Sequence, residues 1–299
     1  MNQKTNYKNI FEILLKRFKN LFKRLYYSIS KKINFSHQTS INGTKITIPS
    51  INGVRCPNTE KWLNKLLANL LESQKGVFLD VGVNIGQTLI KIKSIDASRE
   101  YIGFEPNPNC VNYVNNLIKT NKFTNCSIIP IGLYTEDKIM KLDFYSEQNT
   151  DDSASIIKNF RAKSSVVSSK YVPVFSFSSV KKNLQINNVA IIKVDVEGAE
   201  LEVIQTLQKI IRTHKPVILL EMLPVYSQKN HKRLQRQKHI LKKLHNLHYS
   251  FYHIQKDENI FHSIEKIESV EIHSDINKCD YLVVPEKSEE LIEKIDKSG

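Results

Sequence analysis

The stretch Val77-Phe78-Leu79-Asp80-Val81-Gly82-Val83-Asn84-Ile85-Gly86 constrains what this chain can fold into more than any other segment. An apolar run that ends in Asp, turns on Gly82 and Gly86, and continues as Gln87-Thr88-Leu89-Ile90 predicts strand, tight turn and helix. Glycine at both turn positions lets the backbone approach a ligand closely, and the next helix directs free N–H groups at it. Many α/β proteins use such a turn, so its weight comes from its downstream partners. A second apolar strand, Tyr101-Ile102-Gly103-Phe104, closes on Glu105. An acidic side chain there can take both hydroxyls of a ribose. A turn needed only for strand–helix packing would leave Glu105 without a role. The glycine spacing then separates the nucleotides. Dinucleotide binders use G-x-G-x-x-G, whose middle Gly clears room for a pyrophosphate. Here Asn84 holds that slot, in the pattern D-x-G-x-N-x-G, which suits a nucleoside without phosphates: S-adenosylmethionine rather than NAD.

Strands and helices alternate from this point. Strands are predicted near 77–81, 100–105, 126–131, 189–195, 216–222, 249–254 and 280–285, and helices near 86–95, 108–120, 199–211 and 230–247. Alternation of this kind implies parallel strands joined by right-handed crossovers, with helices on both faces. The last two strands can pair antiparallel at the edge. Residues 133–180 interrupt the pattern with two further strand-like pieces, 140–145 and 171–177, around a polar loop at 146–169. Long loops in compact domains tend to be functional. Asp151, Asp152, Ser153 and Ser155 make this one a candidate lid or acceptor-contacting element, against the plain reading of a solvated loop. A length of 299 residues suits one large α/β domain with an extension. The expected organisation is a basic extension at 1–40, a lead-in strand and helix at 41–75, the main domain at 76–287 and a charged tail at 288–299.

The net charge of +14 is unevenly placed. Residues 1–40 carry nine Lys or Arg against Glu12 alone, a local charge of +8. Phe11, Leu14, Leu15, Phe18, Leu21, Phe22, Leu25 and Tyr26 recur there at helical steps, which predicts a basic amphipathic helix. Such a helix packs on the domain, lies on an anionic membrane surface or meets a partner protein. A second basic run, from Lys229 to Lys243, lies in a stretch with no acid between Glu221 and Asp257. Its apolar Ile240, Leu241, Leu244 and Leu247 predict a solvated outer helix. No interleaved aromatic stacking set accompanies it, which counts against nucleic acid. The four cysteines (Cys56, Cys110, Cys126 and Cys279) form no C-x-x-C pair, so buried thiols in a reducing cytoplasm are expected. No apolar run approaches the roughly 20 residues of a membrane span, and Lys or Arg interrupts the N-terminal apolar residues too often for a secretory signal.

A second acidic cluster supplies the chemistry. Ile191-Ile192-Lys193-Val194-Asp195-Val196-Glu197-Gly198-Ala199-Glu200 predicts a strand ending in Asp195 and a glycine turn into a helix. Asp195 then sits at the same end of the sheet as Asp80 and Glu105. Glu200 reads as a helix-capping residue. Asp195 closes an apolar strand, where an ionised carboxylate is costly without a role or partners.

These segments together resemble the FkbM family of S-adenosylmethionine-dependent methyltransferases. The resemblance is carried by VFLDVGVNIGQT at 77–88, GFEPNP at 103–108, IGLYTED at 131–137, the 153–155 region, IKVDVEGAE at 192–200 and ILLEM at 218–222, over about residues 75–250. Val83 stands where many members have Ala, a change not expected to disturb binding. The resemblance implies an α/β fold: a Rossmann-like seven-stranded, mostly parallel sheet with helices on both faces, here preceded by the basic N-terminal helix. It also implies O-methylation of a hydroxyl on a sugar or small metabolite. Carried over by position, Asp80, Gly82, Asn84 and Gly86 surround the methionine part of the cofactor, Glu105 takes the ribose, and Gln87, Thr88, Pro106 and Gly132 complete that site. Asp195 faces the transferring methyl, with Glu197 and Glu221 as further catalytic candidates.

A hydroxyl acceptor must lose a proton, which calls for a base. No His lies between His37 and His214, so the motif region offers only carboxylates, and Asp195 is the expected base or orienting group. A Mg²⁺ shared by Asp195 and Glu221 is the minor alternative, since the same pair can be a hydrogen-bonded structural set. The expected activity is transfer of a methyl group to a sugar hydroxyl of a glycan or glycolipid, in the cytoplasm or at the inner face of the membrane. An RNA methyltransferase and a non-catalytic S-adenosylmethionine-binding module are the alternatives. The intact Asp80, Glu105 and Asp195 argue against the latter.

Overall fold

The computed structural model describes residues 34–184 and 186–297. The basic N-terminal helix predicted from the sequence lies outside them. The chain enters as a hairpin, β1 (Phe35–Ile41) and β2 (Thr44–Ser50), turned at Asn42-Gly43. Helix α1 (Trp62–Ser73) follows, burying Trp62, Leu63, Leu66, Leu67, Leu70 and Leu71 on one stripe. Then come β3 (Val77–Val81), α2 (Gln87–Ile95), β4 (Tyr101–Phe104), α3 (Pro108–Asn121) and β5 (Cys126–Ile129). After an insertion the alternation resumes with β9 (Val189–Val194), α5 (Glu200–His214), β10 (Val217–Glu221), α6 (His231–His245), β11 (Tyr249–Lys256), β12 (Phe261–Ile267), β13 (Asp280–Pro285) and α7 (Glu289–Asp296). The insertion holds β6 (Gly132–Leu133), β7 (Lys138–Phe144), β8 (Ser168–Phe175) and the short helix α4 (Phe177–Lys181).

The main sheet is Rossmann-like, with strand order β12-β11-β13-β10-β9-β3-β4-β5. Strands β5, β4, β3, β9 and β10 run parallel, and β13, β11 and β12 are antiparallel. The chain winds outward from β3 through β4 to β5, then returns to lay β9 on the other side of β3. The switch point between β3 and β9 is where open α/β sheets bind ligands, beyond the carboxyl ends of the strands. Both faces of the central strands are buried, which is why they read as unbroken apolar runs. Leu79, Val81, Ile192 and Val194 face α5 and α6, while Phe78, Ile191 and Leu219 face α1, α2 and α7. The hairpin caps the outside of α2 and α3 through Ile46, Ile48, Ile90, Tyr113 and Leu117. The tyrosine hydroxyl of Tyr113 donates to Pro49 O at 2.7 Å and accepts from Cys56 N at 2.6 Å, tying α3 to the lead-in segment.

Several expectations are corrected. The sheet has eight strands rather than seven. The extra strand, β12, buries Phe261 and Ile264 and half-buries Ile267, a spacing of three rather than two, on an edge whose register shifts at Gln255/Lys256. The predicted third strand stops at Ile129, and Gly132–Leu133 leave it for a separate three-stranded sheet, β6-β8-β7. β7 and β8 are the two strand-like pieces of the insertion. The segment after 287, read as a charged tail, contains helix α7, which buries Leu291 and Ile295 in the same cluster as α1. Strand β1 begins at Phe35, inside the stretch assigned to the basic extension. Cys56, Cys110 and Cys279 are buried free thiols, while Cys126 is half-buried. Among the described residues no helix is long and apolar enough to cross a membrane.

Candidate active site

A cavity of about 320 Å³ opens at the switch point, over the carboxyl ends of β3, β4, β9 and β10. Its walls come from the turn after β3, the turn after β4, the acidic segment after β9, Glu221 at the end of β10, and the insertion. Thr59 and Glu60, just before α1, also line it.

Glu105 organises the cofactor side. Its carboxylate accepts the Asn84 N–H at 2.8 Å and the Asn107 N–H at 2.7 Å, one on each oxygen. The turns after β3 and β4 are thereby clamped together. Burial pushes the carboxyl up to about 7 against the pull of these two N–H groups. Each carboxylate oxygen carries two lone pairs, so one on each oxygen remains for a hydroxyl donor. Asn84 holds left-handed backbone at φ +48°, which Asn tolerates better than most residues. Its N–H thus serves Glu105 rather than a ligand. Gln87, Thr88, Pro106 and Gly132, all expected at the cofactor, line the cavity.

Two expected cofactor contacts do something else. Asp80 is fully buried below the turn and does not line the cavity. Its Oδ2 accepts the Tyr101 hydroxyl at 2.5 Å, and burial raises its carboxyl to about 6, with Lys193 opposing. Gly86 caps α2 and faces Leu117 and Val114, also away from the cavity. Gly82 does line it, but its absent side chain serves the protein backbone: a Cβ there would stand 1.8 Å from the Asp195 carbonyl oxygen. Val83 packs over Gly103, where a Cβ would come within 2.5 Å of Val83 Cγ2, and it also lines the cavity.

The catalytic side centres on Asp195, with one residue that sequence reasoning passed over. Lys193, on the preceding turn of the pleat, donates to Asp195 Oδ2 at 2.7 Å and is itself nearly buried. Burial alone would lower this ammonium, but the charges of Asp195, Asp80 and Glu60 outweigh it and hold Lys193 cationic. The signal was present: a lysine within the otherwise apolar run Ile191 to Val194, where only a partnered charge is tolerated. Glu221 lies within reach of the same charges, and Asp195 together with burial drives its carboxyl well above the usual range. Glu197, at φ +50°, lines the cavity but binds Arg161 at 2.9 Å, and burial with the Asp195 charge pushes it up to about 7. Glu200 accepts the Gly198 N–H at 2.6 Å, one residue before the Ala199 N-cap, so it is a first-turn acid rather than the expected side-chain cap. Among the described residues no group of three or more His, Cys, Asp or Glu side chains converges as a metal-ligand set. A positive charge that the structure does place beside Asp195 is the ammonium of Lys193.

The 146–169 loop closes over this site. Asp151 is buried and takes four hydrogen bonds, from the N–H groups of Tyr145, Ser146 and Ser153 and from the Ser153 hydroxyl. Burial would raise its carboxyl, but these bonds hold it below the ordinary range. Ser155 donates to the Glu197 carbonyl at 2.6 Å, and Asn107 donates to the Asn149 carbonyl at 2.8 Å. Asp151, Asp152, Ala154 and Ile156 then form one wall of the cavity. The loop is built into the site rather than merely solvated.

Residues 80–251 match the model of the methyltransferase FkbM domain. No curated protein matches the chain. Among solved structures, the chain is similar to a methyltransferase FkbM from Methylobacillus flagellatus at 14% identity and TM-score 0.42, over 70% of this chain and 43% of that one. It is also similar to an O-methyltransferase from Bacillus cereus in complex with SAH at 10% identity and TM-score 0.44, over 75% of this chain and 80% of that one. A third is an SAH-bound methyltransferase from Podospora anserina at 9% identity and TM-score 0.39, over 75% and 76%. The chain spans less than half the length of the Methylobacillus protein.

Proposed function

The chain belongs to the FkbM methyltransferase family, and on that premise we propose that it is an S-adenosylmethionine-dependent O-methyltransferase acting on a sugar hydroxyl of a glycan or glycolipid. The observation that carries this reading is one cavity holding both Glu105, with lone pairs left for a ribose, and the Asp195–Lys193 pair. The cavity walls suit the cofactor: Glu105 for the ribose, with Gly82, Gln87 and Thr88 along the turn beyond β3. When bound, the cofactor supplies a methyl carbon already activated by its sulfonium.

The protein's remaining work is alignment and proton management. Holding the acceptor oxygen in line, with water kept out by the 146–169 loop, can lower the barrier by up to about 7–11 kcal/mol. Asp195 orients the acceptor hydroxyl and takes its proton as the new bond forms. Lys193 fixes the Asp195 carboxylate through Oδ2, leaving Oδ1 for the hydroxyl. It also provides locally the positive charge that a divalent ion would bring, so turnover is expected to survive chelation. Glu197 and Glu221 line the same cavity, where burial and the Asp195 charge favour their neutral forms.

Calorimetric titration with S-adenosylmethionine and S-adenosylhomocysteine tests the cofactor side. Wild-type protein should bind both, and Glu105→Ala should weaken them about ten-fold or more, because it removes the clamp and the ribose acceptor together. Asp195→Asn should abolish transfer of a labelled methyl group while cofactor affinity stays within about two-fold. Near-normal turnover in that variant would remove Asp195 from the reaction.

A further inference from the structure

An open groove of about 500 Å³ lies beside the cavity. Asn159, Phe160 and Arg161 from the insertion line it, together with Tyr226, Asn230 and Arg233 from the segment entering α6. The two spaces share a wall. Phe160 packs on Gly198, where a Cβ would come within 2.5 Å of its ring. Arg161 holds Glu197, which lines the cavity. The groove and the cavity are therefore neighbours, separated by residues 197–198 and the Phe160 and Arg161 side chains packed on them.

The groove is chemically specific. The Arg233 guanidinium stacks over Phe160 at 4.5 Å and stands 5.7 Å from the Tyr226 ring. It donates to the carbonyls of Pro224 at 2.9 Å and Phe160 at 3.3 Å, and is half-buried. Yet it forms no ion pair among the described residues: Glu197 is engaged by Arg161, and Glu200 by the Gly198 N–H. The Nε–H of Arg161 is buried without a hydrogen-bond partner. No acid lies between Glu221 and Asp257, so the helix behind the groove adds nothing that would repel an anion. A partly desolvated guanidinium outside any ion pair among the described residues, beside the Arg161–Glu197 pair, favours a carboxylate or phosphate, whose geometry matches the planar fork. Tyr226 is 46% exposed and offers a flat face, and the Asn159 and Asn230 amides offer donors and acceptors for hydroxyls.

We propose that this groove is the acceptor subsite and that it takes a sugar bearing an anionic group, carboxylate or phosphate, seated against Arg233 and Arg161 with the sugar ring on Tyr226. The assignment rests on the methyltransferase reading above. The full chain, saturated with S-adenosylhomocysteine, is titrated with glucuronic acid, glucose 6-phosphate and glucose, with binding followed by ligand-observed NMR. At least one acid should bind about ten-fold or more tightly than glucose, and the preferred acid distinguishes carboxylate from phosphate. Arg233→Gln should bring that acid down to the level of glucose. Tyr226→Ala, a change at an exposed side chain, should weaken it several-fold. Both variants should keep wild-type affinity for S-adenosylhomocysteine. Equal or absent binding of all three sugars overturns the subsite. So does acid binding that neither variant weakens in protein that still takes S-adenosylhomocysteine. Wild-type protein that binds no S-adenosylhomocysteine overturns instead the reading beneath it, and the subsite with it.

Discussion

Gly82 shows how a residue can be required at a ligand site for a reason that is not the ligand. At φ +95° it turns the chain out of β3, and the space a Cβ would fill belongs to the carbonyl of Asp195. The Asp195 N–H also donates to Val81 O at 2.9 Å, so the two loops interlock through backbone. Gly82→Ala should therefore cost about 2–4 kcal/mol in a denaturant melt, from unfavourable backbone and overpacking together, and should impair turnover by displacing Asp195. Glu105 carries a prediction of the opposite kind, in ligand affinity rather than stability. Its carboxyl is held up near 7, and only the ionised form is wholly an acceptor for ribose hydroxyls. As pH rises from 6 to 8 the ionised fraction grows, so affinity for S-adenosylhomocysteine should rise by about ten-fold. Glu105→Gln should flatten that dependence, and a slope that survives it belongs to another group.

Among the elements, those with strong local patterning were legible and those supported from outside were not. The central strands, α1, α3, α5 and α6 announce themselves by apolar runs or by helical spacing. Strand β12 does not, because its buried residues sit three apart on an irregular edge. Helix α7 hides among charges and contributes only Leu291 and Ile295 to the interior. Its value is tertiary: Lys294 reaches Glu72 on α1 at 2.9 Å, and Ile295 is fully buried. The exposed ion pair is worth little, so the buried side chain should dominate. Ile295→Ala is expected to lower the unfolding free energy by about 2–4 kcal/mol, whereas a solvated tail would register no change. The loop at 146–169 was legible as a candidate, but nothing in its spacing marks Ser155 as the residue that holds Glu197.

At the scale of the molecule, a doubly wound sheet brings the ends of four parallel strands around one cavity, and the insertion roofs it. The hairpin β1–β2 already seals the outer face of α2 and α3, so the fold described from residue 34 onward has its own core. We propose that the basic segment at 1–33 serves location rather than folding. Deleting it should leave cofactor affinity unchanged and abolish sedimentation with phosphatidylglycerol vesicles at low salt, each surface cation being worth about 1 kcal/mol. Persistent sedimentation would place the membrane contact elsewhere, and a full chain that does not sediment would remove it. By itself the sequence determined the winding of the fold and the three acidic turns, because strand, turn and helix signals and the side chains at strand ends are local properties. Only the tertiary structure decided how the acids divide their work. Asp80 goes to the core, Glu105 clamps two turns 21 residues apart, Glu197 pairs with Arg161 36 residues away, and Lys193 neutralises Asp195. A carboxylate's role depends on which cation or N–H group faces it after folding, and those partners come from elements that no short stretch of sequence brings together.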